Sequence, residues 1–270
     1  MIADVLLVNF IEIFLFEFVI KMDTISPNYI YRKSLNLLKL IVQIARDFLF
    51  AFSFPKLVKV FFKDSFTPAK RKVFADIETI IPSNKNGPIR ILEIGVGPGY
   101  NFEFYPKKCR LIALDKNPYF EKIFLENLQK HPDIILEKFV NECAENMVSI
   151  PSNSIDVVLT SSIHCSVDNS QSVLKEIERV LVPGGRYYFF EHCLDEPGTT
   201  RFKWQLFVNK IRLWQWTLNG CTFVDFKHEI SKFGVFKYKA KRYTAESHSW
   251  NYLVRYLIAP HYGGCAVKGK

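Results

Sequence analysis

The stretch Ile91–Tyr100 reads ILEIGVGPGY: aliphatics, the acid Glu93, then Gly95, Gly97 and Gly99 within five positions. Glycines this close together permit a tight turn at Gly95, approach of the backbone to a ligand at Gly97 and relief of helix–strand packing at Gly99. Asp115 closes the segment RLIALD about 20 residues further on, where an acid can accept hydrogen bonds from ribose hydroxyls. The pairing suits a nucleotide-like ligand. Two bland readings stand beside it: the glycines could make only a tight turn, and Asp115 could cap a helix over NPYFEKIFLENL.

The ligand's charge narrows the choice. A dinucleotide fingerprint needs GxGxxG, with a helix N-terminus facing pyrophosphate. Here the spacing is GxGxG, position 100 is Tyr, and Glu93 stands awkwardly for a pyrophosphate. S-adenosylmethionine carries an amine and a sulfonium and no phosphate, so a carboxylate beside the turn becomes useful.

These residues need strands to present them. IRILEI, RLIALD, IILEKFV, IDVVLT and RYYFFE read as short buried strands. The clearest helix between them is QSVLKEIERVL, where Val173, Leu174, Ile177, Val180 and Leu181 recur on one face before Pro183-Gly184-Gly185 turns the chain. Such alternation predicts an α/β fold, a doubly wound, mostly parallel sheet with its ligand crevice at the C-terminal strand ends.

The 270 residues are 49% hydrophobic and 23% charged, which permits a sizeable core and argues against general disorder. The net charge of +9 is scattered, without an Arg-rich tract or interleaved aromatics, so a nucleic-acid partner is not expected. Six cysteines are widely spaced with no CxxC pair, and this spacing supports neither a zinc site nor a redox pair. Residues 1–63 are strongly apolar, but Asp4, Glu12 and Glu17 interrupt the first stretch as a membrane span. In LNLLKLIVQIARDFLFAFSF, Leu38, Val42, Ala45, Leu49 and Phe52 share a helical face, with Asn36, Lys39, Gln43 and Arg46 as a polar stripe; Lys56, Lys59 and Lys63 follow. Apolar bulk rimmed by lysines is the composition of a helix lying in a membrane interface; packing on the rest of the chain or a dimer seam is the alternative. Thr67 is expected to cap a helix whose apolar face runs through Val73, Phe74, Ile77, Ile80 and Ile81, ended by Pro82 and a linker. The domains expected are 1–63, membrane-associating helices; 64–86, helix and linker; and 87–270, the cofactor-binding body.

Glu93-x-Gly-x-Gly-x-Gly, then LIALD, SIDVVLT and LKEIERVLVPGGRYYFFE, in this order, resembles the class I S-adenosylmethionine-dependent methyltransferases over about Arg90–Glu191. NFEFYP, FEKIFLEN, AENM, IHCSV, PGGRYYFFEH and HYGGCAVK extend the resemblance to the methyltransferase-like thiol S-methyltransferases, over most of residues 55–268. Val96 and Cys143 stand where that family commonly has a cysteine and an acid, residues 1–34 do not align, and RYTAESHSWNYLVRYL is longer than its counterpart.

The resemblance implies a seven-stranded class I sheet with N-terminal hydrophobic helices. It implies S-adenosylmethionine held by Glu93, Gly95, Gly97, Gly99, Asp115 and Asn117, with Ala144, Glu145 and Asn146 at the adenine and Ser161, Ser162 and Ile163 on the methyl-donor side. The implied acceptor is a small hydrophobic thiol; O-, N- or C-methylation of a lipid or quinone is the alternative within enzymes, and an interaction protein with a vestigial pocket the alternative outside them. The implied place is the endoplasmic reticulum or lipid droplets, with the catalytic body facing the cytosol. A thiol ionises poorly at neutral pH, so a base would help. His192, ending YYFFEH, is the candidate catalytic residue, with His164 behind it and a structural role open for both. RFKWQLFVNKIRLWQW is a lid candidate whose Phe202, Trp204, Phe207, Trp214 and Trp216 would line an acceptor pocket or simply pack in the core.

Overall fold

Strand β1 (Arg90–Ile94) shows how the sheet is built. Alternate residues of a strand face opposite sides, and a strand buried on both sides must be apolar on both. Ile91 joins one core with Leu111, Ala113, Val157, Leu159, Tyr188 and Phe190, and Leu92 and Ile94 join the other with Ile112, Val158, Tyr187 and Phe189. The computed structural model describes residues 29–61, 65–84, 87–244 and 252–269.

Beside β1 lie β2 (Cys109–Leu114), β3 (Ile134–Val140), β4 (Ile155–Ser161), β5 (Leu181–His192), β6 (Lys237–Thr244) and β7 (Pro260–Val267). Their order is β3-β2-β1-β4-β5-β7-β6. Strands β1 to β5 pair in parallel, and β7 runs antiparallel between β5 and β6. This is the doubly wound, seven-stranded class I methyltransferase sheet.

The described helices are α1 (Tyr29–Phe61), α2 (Thr67–Val73), α3 (Phe120–Leu128), α4 (Ser170–Val180), α5 (Thr200–Ile211), α6 (Leu213–Thr217), α7 (Phe226–Phe233) and α8 (Tyr252–Ile258). Helix α4 buries Val173, Leu174, Ile177 and Val180, the face expected from their spacing, and Asn169 caps it by accepting from Ser172 N. After the glycine turn the chain makes only a short 3-10 turn, Phe102–Phe104.

Three local expectations are corrected. Helix α2 has Phe66 as its cap, without a side-chain capping bond, and Thr67 is already helical. It ends at Val73, and Ile81 is exposed while Val73, Phe74 and Ile77 are buried. The segment read as helix and linker therefore supplies core residues, and Ser83 N donates to Asp156 Oδ1 at 2.8 Å. Helix α1 is one continuous helix through Pro55, so LNLLKLIVQIARDFLFAFSF and the start of FPKLVKVFFK form a single element. Leu38, Val42, Ala45 and Leu49 are half-buried as one face, but Leu37, Leu40, Ile41, Ile44, Phe48 and Phe52 point outward. No described helix is long and apolar enough to cross a membrane. Residues 1–28 and the side chains of Lys59 and Lys63 lie outside the described part.

Candidate active site

The turn after β1 is where side chains are excluded. Gly95 and Gly97 have φ of +69° and +49°, a region that suits glycine. At Gly95 a Cβ would stand 2.1 Å from Ile163 Cγ2, so the β4 loop occupies that space. At Gly97 a Cβ would meet no atom of the described residues beyond its chain neighbours within 4 Å, and this residue lines a cavity of about 770 Å³. Its bare backbone therefore borders space open to a ligand. Gly99 differs: a Cβ there would lie 2.3 Å from Phe102 Cζ, and the residue does not line the cavity. Its role is packing beneath the turn, the reading given for close contacts rather than for ligand approach.

Asp115 sits at the end of β2 with Oδ2 accepting from Gly97 N and Oδ1 from Asn117 N, both at 2.9 Å. It thus ties the two turns and does not cap α3, whose cap is Tyr119. Burial raises its pKa to about 6, against the pull of the two backbone N–H groups. Each oxygen retains a lone pair for a ligand hydroxyl. Asn117 does not reach the cavity. Its Nδ2 donates to Asp47 O of α1 at 2.9 Å and its Oδ1 accepts from Tyr119 N, so it anchors the N-terminal helix.

Glu93 is 1% exposed and accepts from Asn101 Nδ2 and from the Tyr105 hydroxyl. Lys70 of α2 donates to Asn101 Oδ1 at 2.9 Å, completing a buried relay. Burial pushes Glu93 up to about 7, and burial lowers Lys70 to about 8 although the carboxylates of Glu93 and Glu191 oppose this. Asn101 and Tyr105 fall in the NFEFY run quoted above; nothing local to Lys70 marked it, because it arrives from an element 23 residues upstream of Glu93.

Ala144 and Glu145 line the cavity after β3, and Glu145 Oε1 accepts from Asp168 N at 2.8 Å. Asn146 is exposed and outside it. Cys143 lines the cavity where an acid was expected, and Glu142, one residue earlier, lines it as well. Ser161, Ser162 and Ile163 line it at the end of β4. Their loop is held by Glu191 Oε2, which accepts from Ile163 N and His164 N at 2.8 and 3.1 Å.

His192, at the end of β5, lines the same cavity and is 6% exposed. Its Nε2 lies 3.2 Å from Cys221 Sγ. His164 is structural: Nδ1 meets Ser170 Oγ, Nε2 meets the Tyr187 hydroxyl, and burial lowers its pKa to about 3. Of the five lid aromatics only Trp214 lines the cavity; Trp204 and Phe207 on α5 are about half exposed. The wall also includes Phe190, Leu218, Ile258 and His261, and Phe50, Phe54 and Leu57 of α1. The rings of Phe50 and Phe120 meet edge-on at 5.9 Å. The apolar face of α1 left a membrane interface, packing on the rest of the chain and a dimer seam open, since such a face does not state its partner.

A backbone cradle open at Gly97, with the carboxylates Glu93 and Asp115 beside it, fits a cationic nucleoside. Fold and site together define a class I methyltransferase. The family profile described as "Methyltransferase domain" matches residues 92–189. Human thiol S-methyltransferase TMT1A is 32% identical over 209 residues, 77% of this chain and 82% of that protein. Human thiol S-methyltransferase TMT1B is 36% identical over 152 residues, 56% and 61% of the two chains. The chain belongs to the thiol S-methyltransferase family, and S-adenosylmethionine is its cofactor. Among solved structures, phosphoethanolamine N-methyltransferase 2 of Haemonchus contortus, in complex with phosphomonomethylethanolamine and S-adenosylhomocysteine, superposes with a TM-score of 0.56 at 16% identity, covering 83% of this chain and 60% of that one. Geranyl diphosphate methyltransferase in complex with GPP and sinefungin superposes at 0.55 with 11% identity, covering 74% and 77%. These two share the fold.

Proposed function

We propose that this enzyme methylates the thiol of a small hydrophobic acceptor at a membrane surface, releasing a thioether and S-adenosylhomocysteine. The observation that carries the reading is a single cavity running across the C-terminal ends of β2, β1, β4 and β5, from Asp115 to His192. In this reading Gly95 and Gly97 cradle the cofactor, Asp115 takes its ribose hydroxyls and Glu93 its amine. Ala144 and Glu145 stand at the adenine and Ser161 on the methyl-donor side. Gly99 and Asn117 support the turn and α1 rather than touch the ligand.

The bound cofactor supplies an already activated methyl group on its sulfonium. The protein's task is then positioning and desolvation, which supply much of the acceleration for an in-line displacement. Phe190, Trp214, Leu218 and Ile258 offer the acceptor's chain an apolar wall. A thiol is only a few per cent ionised near neutral pH, so something near its sulfur must favour the thiolate. His192 is the candidate.

The membrane part of the proposal is supported by α1. Its outward stripe from Leu37 to Phe52 is apolar, and α5 exposes Trp204, Leu206, Phe207 and Ile211. Residues 1–63 would hold the body on the cytosolic side of the endoplasmic reticulum or on lipid droplets, and α1, which also walls the cavity, would lead lipid-dissolved thiols to it. The decisive experiment is transfer of labelled methyl to a small aliphatic thiol by detergent-solubilised protein, with Asp115→Ala as control. Transfer that disappears in the control is expected. Cofactor binding without transfer to any thiol would refute the acceptor class.

A further inference from the structure

Three of the widely spaced cysteine and histidine residues converge. Cys165 follows β4, His192 ends β5 and Cys221 precedes α7. Their ligand atoms, the two sulfurs and a ring nitrogen, all lie within 4.8 Å of one another. In a tetrahedral site with zinc-like bond lengths such atoms stand roughly 3.5–4 Å apart, so small side-chain adjustments close the set. The three residues are 3%, 6% and 8% exposed, and all three line the cofactor cavity.

The scaffold beneath them is pinned. Thr222 donates through N and Oγ1 to Cys165 O, at 2.8 and 3.1 Å, which locks the two cysteine-bearing loops together. Glu191 holds the loop leading to Cys165 through two backbone N–H groups. Nε2 of His192 lies 3.2 Å from Cys221 Sγ and is the nitrogen placed to ligate, while Nδ1 is buried with no hydrogen-bond partner among the described residues.

We infer that Cys165, His192 and Cys221 bind a zinc-class metal ion with one coordination position open to the cavity, and that this position takes the acceptor's sulfur. Two thiolates and a neutral imidazole make a soft donor set that favours zinc over the hard ions magnesium, calcium and manganese. Two negative charges on a divalent ion leave the site neutral, which removes most of the cost of burying it. Three protein ligands with a fourth place open is the arrangement of catalytic rather than structural zinc. A disulfide would use only the two sulfurs and leave His192 unexplained.

The inference deepens the thiol reading and rests on it for the identity of the fourth ligand. The acceptor's S–H proton goes to water as its sulfur binds the ion, because a coordinating thiol is deprotonated outright. The bound sulfur then forms its bond to the methyl carbon as that carbon's bond to the sulfonium sulfur breaks. The product thioether is a weaker ligand and leaves. His192 would thus favour the thiolate as a metal ligand and not as a base.

The test uses full-length protein, kept reduced, stripped with a chelator and titrated with Co²⁺ and then Zn²⁺. We expect one equivalent of Co²⁺ to give visible ligand-field bands and a near-ultraviolet sulfur-to-metal band, and Zn²⁺ to displace it. A small aliphatic thiol, added without S-adenosylmethionine, should shift those bands. Cys165→Ser and Cys221→Ser should weaken Co²⁺ binding by at least about tenfold, while Cys265→Ser, outside the cluster, binds as before. The absence of a stoichiometric sulfur-to-cobalt band in folded wild-type protein would overturn the site, as would a Cys165–Cys221 disulfide found by mass spectrometry in protein unable to bind metal. Bands unmoved by thiol would overturn the open position. Undiminished methyl transfer by metal-free protein would remove the metal and keep the thiol reading; a thiol-responsive metal site without methyl transfer would do the reverse.

Discussion

Glu93 shows at the scale of one residue what burying an acid costs. Its carboxyl is buried, and burial raises its folded pKa to about 7. A raised carboxyl contributes stability that is complete below its unfolded value of about 4.5 and is lost as pH rises through about 7. The full span is on the order of 3 kcal/mol. Glu93→Gln keeps an acceptor oxygen and removes the titration. The two proteins should melt at similar temperatures at pH 5, and the variant should melt several degrees higher at pH 8 without cofactor, by calorimetry. Equal pH dependence in both would show that Glu93 ionises normally. The glycines divide in the same way. Gly97→Ala should fold at a cost of about 1 kcal/mol for its positive φ, yet lose cofactor affinity at least tenfold by titration calorimetry, because its new methyl enters ligand space. Gly95→Ala meets Ile163 and should lose stability by about 2–4 kcal/mol in urea unfolding. The sequence marks both glycines equally; only the neighbours tell them apart.

Helix α1 raises the question of attachment at the scale of one element. It touches the body through the Asn117–Asp47 bond and through Phe48, Phe50 and Phe54 against Tyr119, Phe120 and Tyr100. Asn117→Ala removes one hydrogen bond worth about 1 kcal/mol. Amide hydrogen exchange in α1 should rise, with exchange in β1 and β4 unchanged. Loss of protection throughout the sheet would mean that Asn117 holds the body and not the helix. The elements of the sheet were legible because strand burial on both faces demands continuous apolar runs, and α4 because its stripe repeats at helical spacing. Helix α2 and the lid were less legible. Phe74 and Ile77 reach the core by a turn rather than along a helix, and α5 exposes Trp204 and Phe207, which composition alone placed either in a pocket or in the core. Strands β6 and β7 came from the resemblance to a family, not from periodicity.

The outward faces of α1 and α5 meet the proposed membrane at the scale of the whole molecule. Liposome flotation should recover the wild-type protein. Leu40→Asn combined with Ile41→Asn and Ile44→Asn should stay in solution, with S-adenosylmethionine affinity within about twofold, since these exposed side chains do not line the cavity. Flotation unaffected by the triple change would move membrane binding elsewhere in the chain. What the sequence determined by itself was strands β1 to β5, the glycine turn, the place of Asp115 at the end of β2 and the charge of the ligand, because each depends on residues close together and on periodicity. What only the tertiary structure decided was convergence. Lys70 beside Glu93, α1 against the cavity, and Cys165 with His192 and Cys221 arise from chain crossings over long separations, and linear spacing does not say which side chains meet where the loops of a parallel sheet gather.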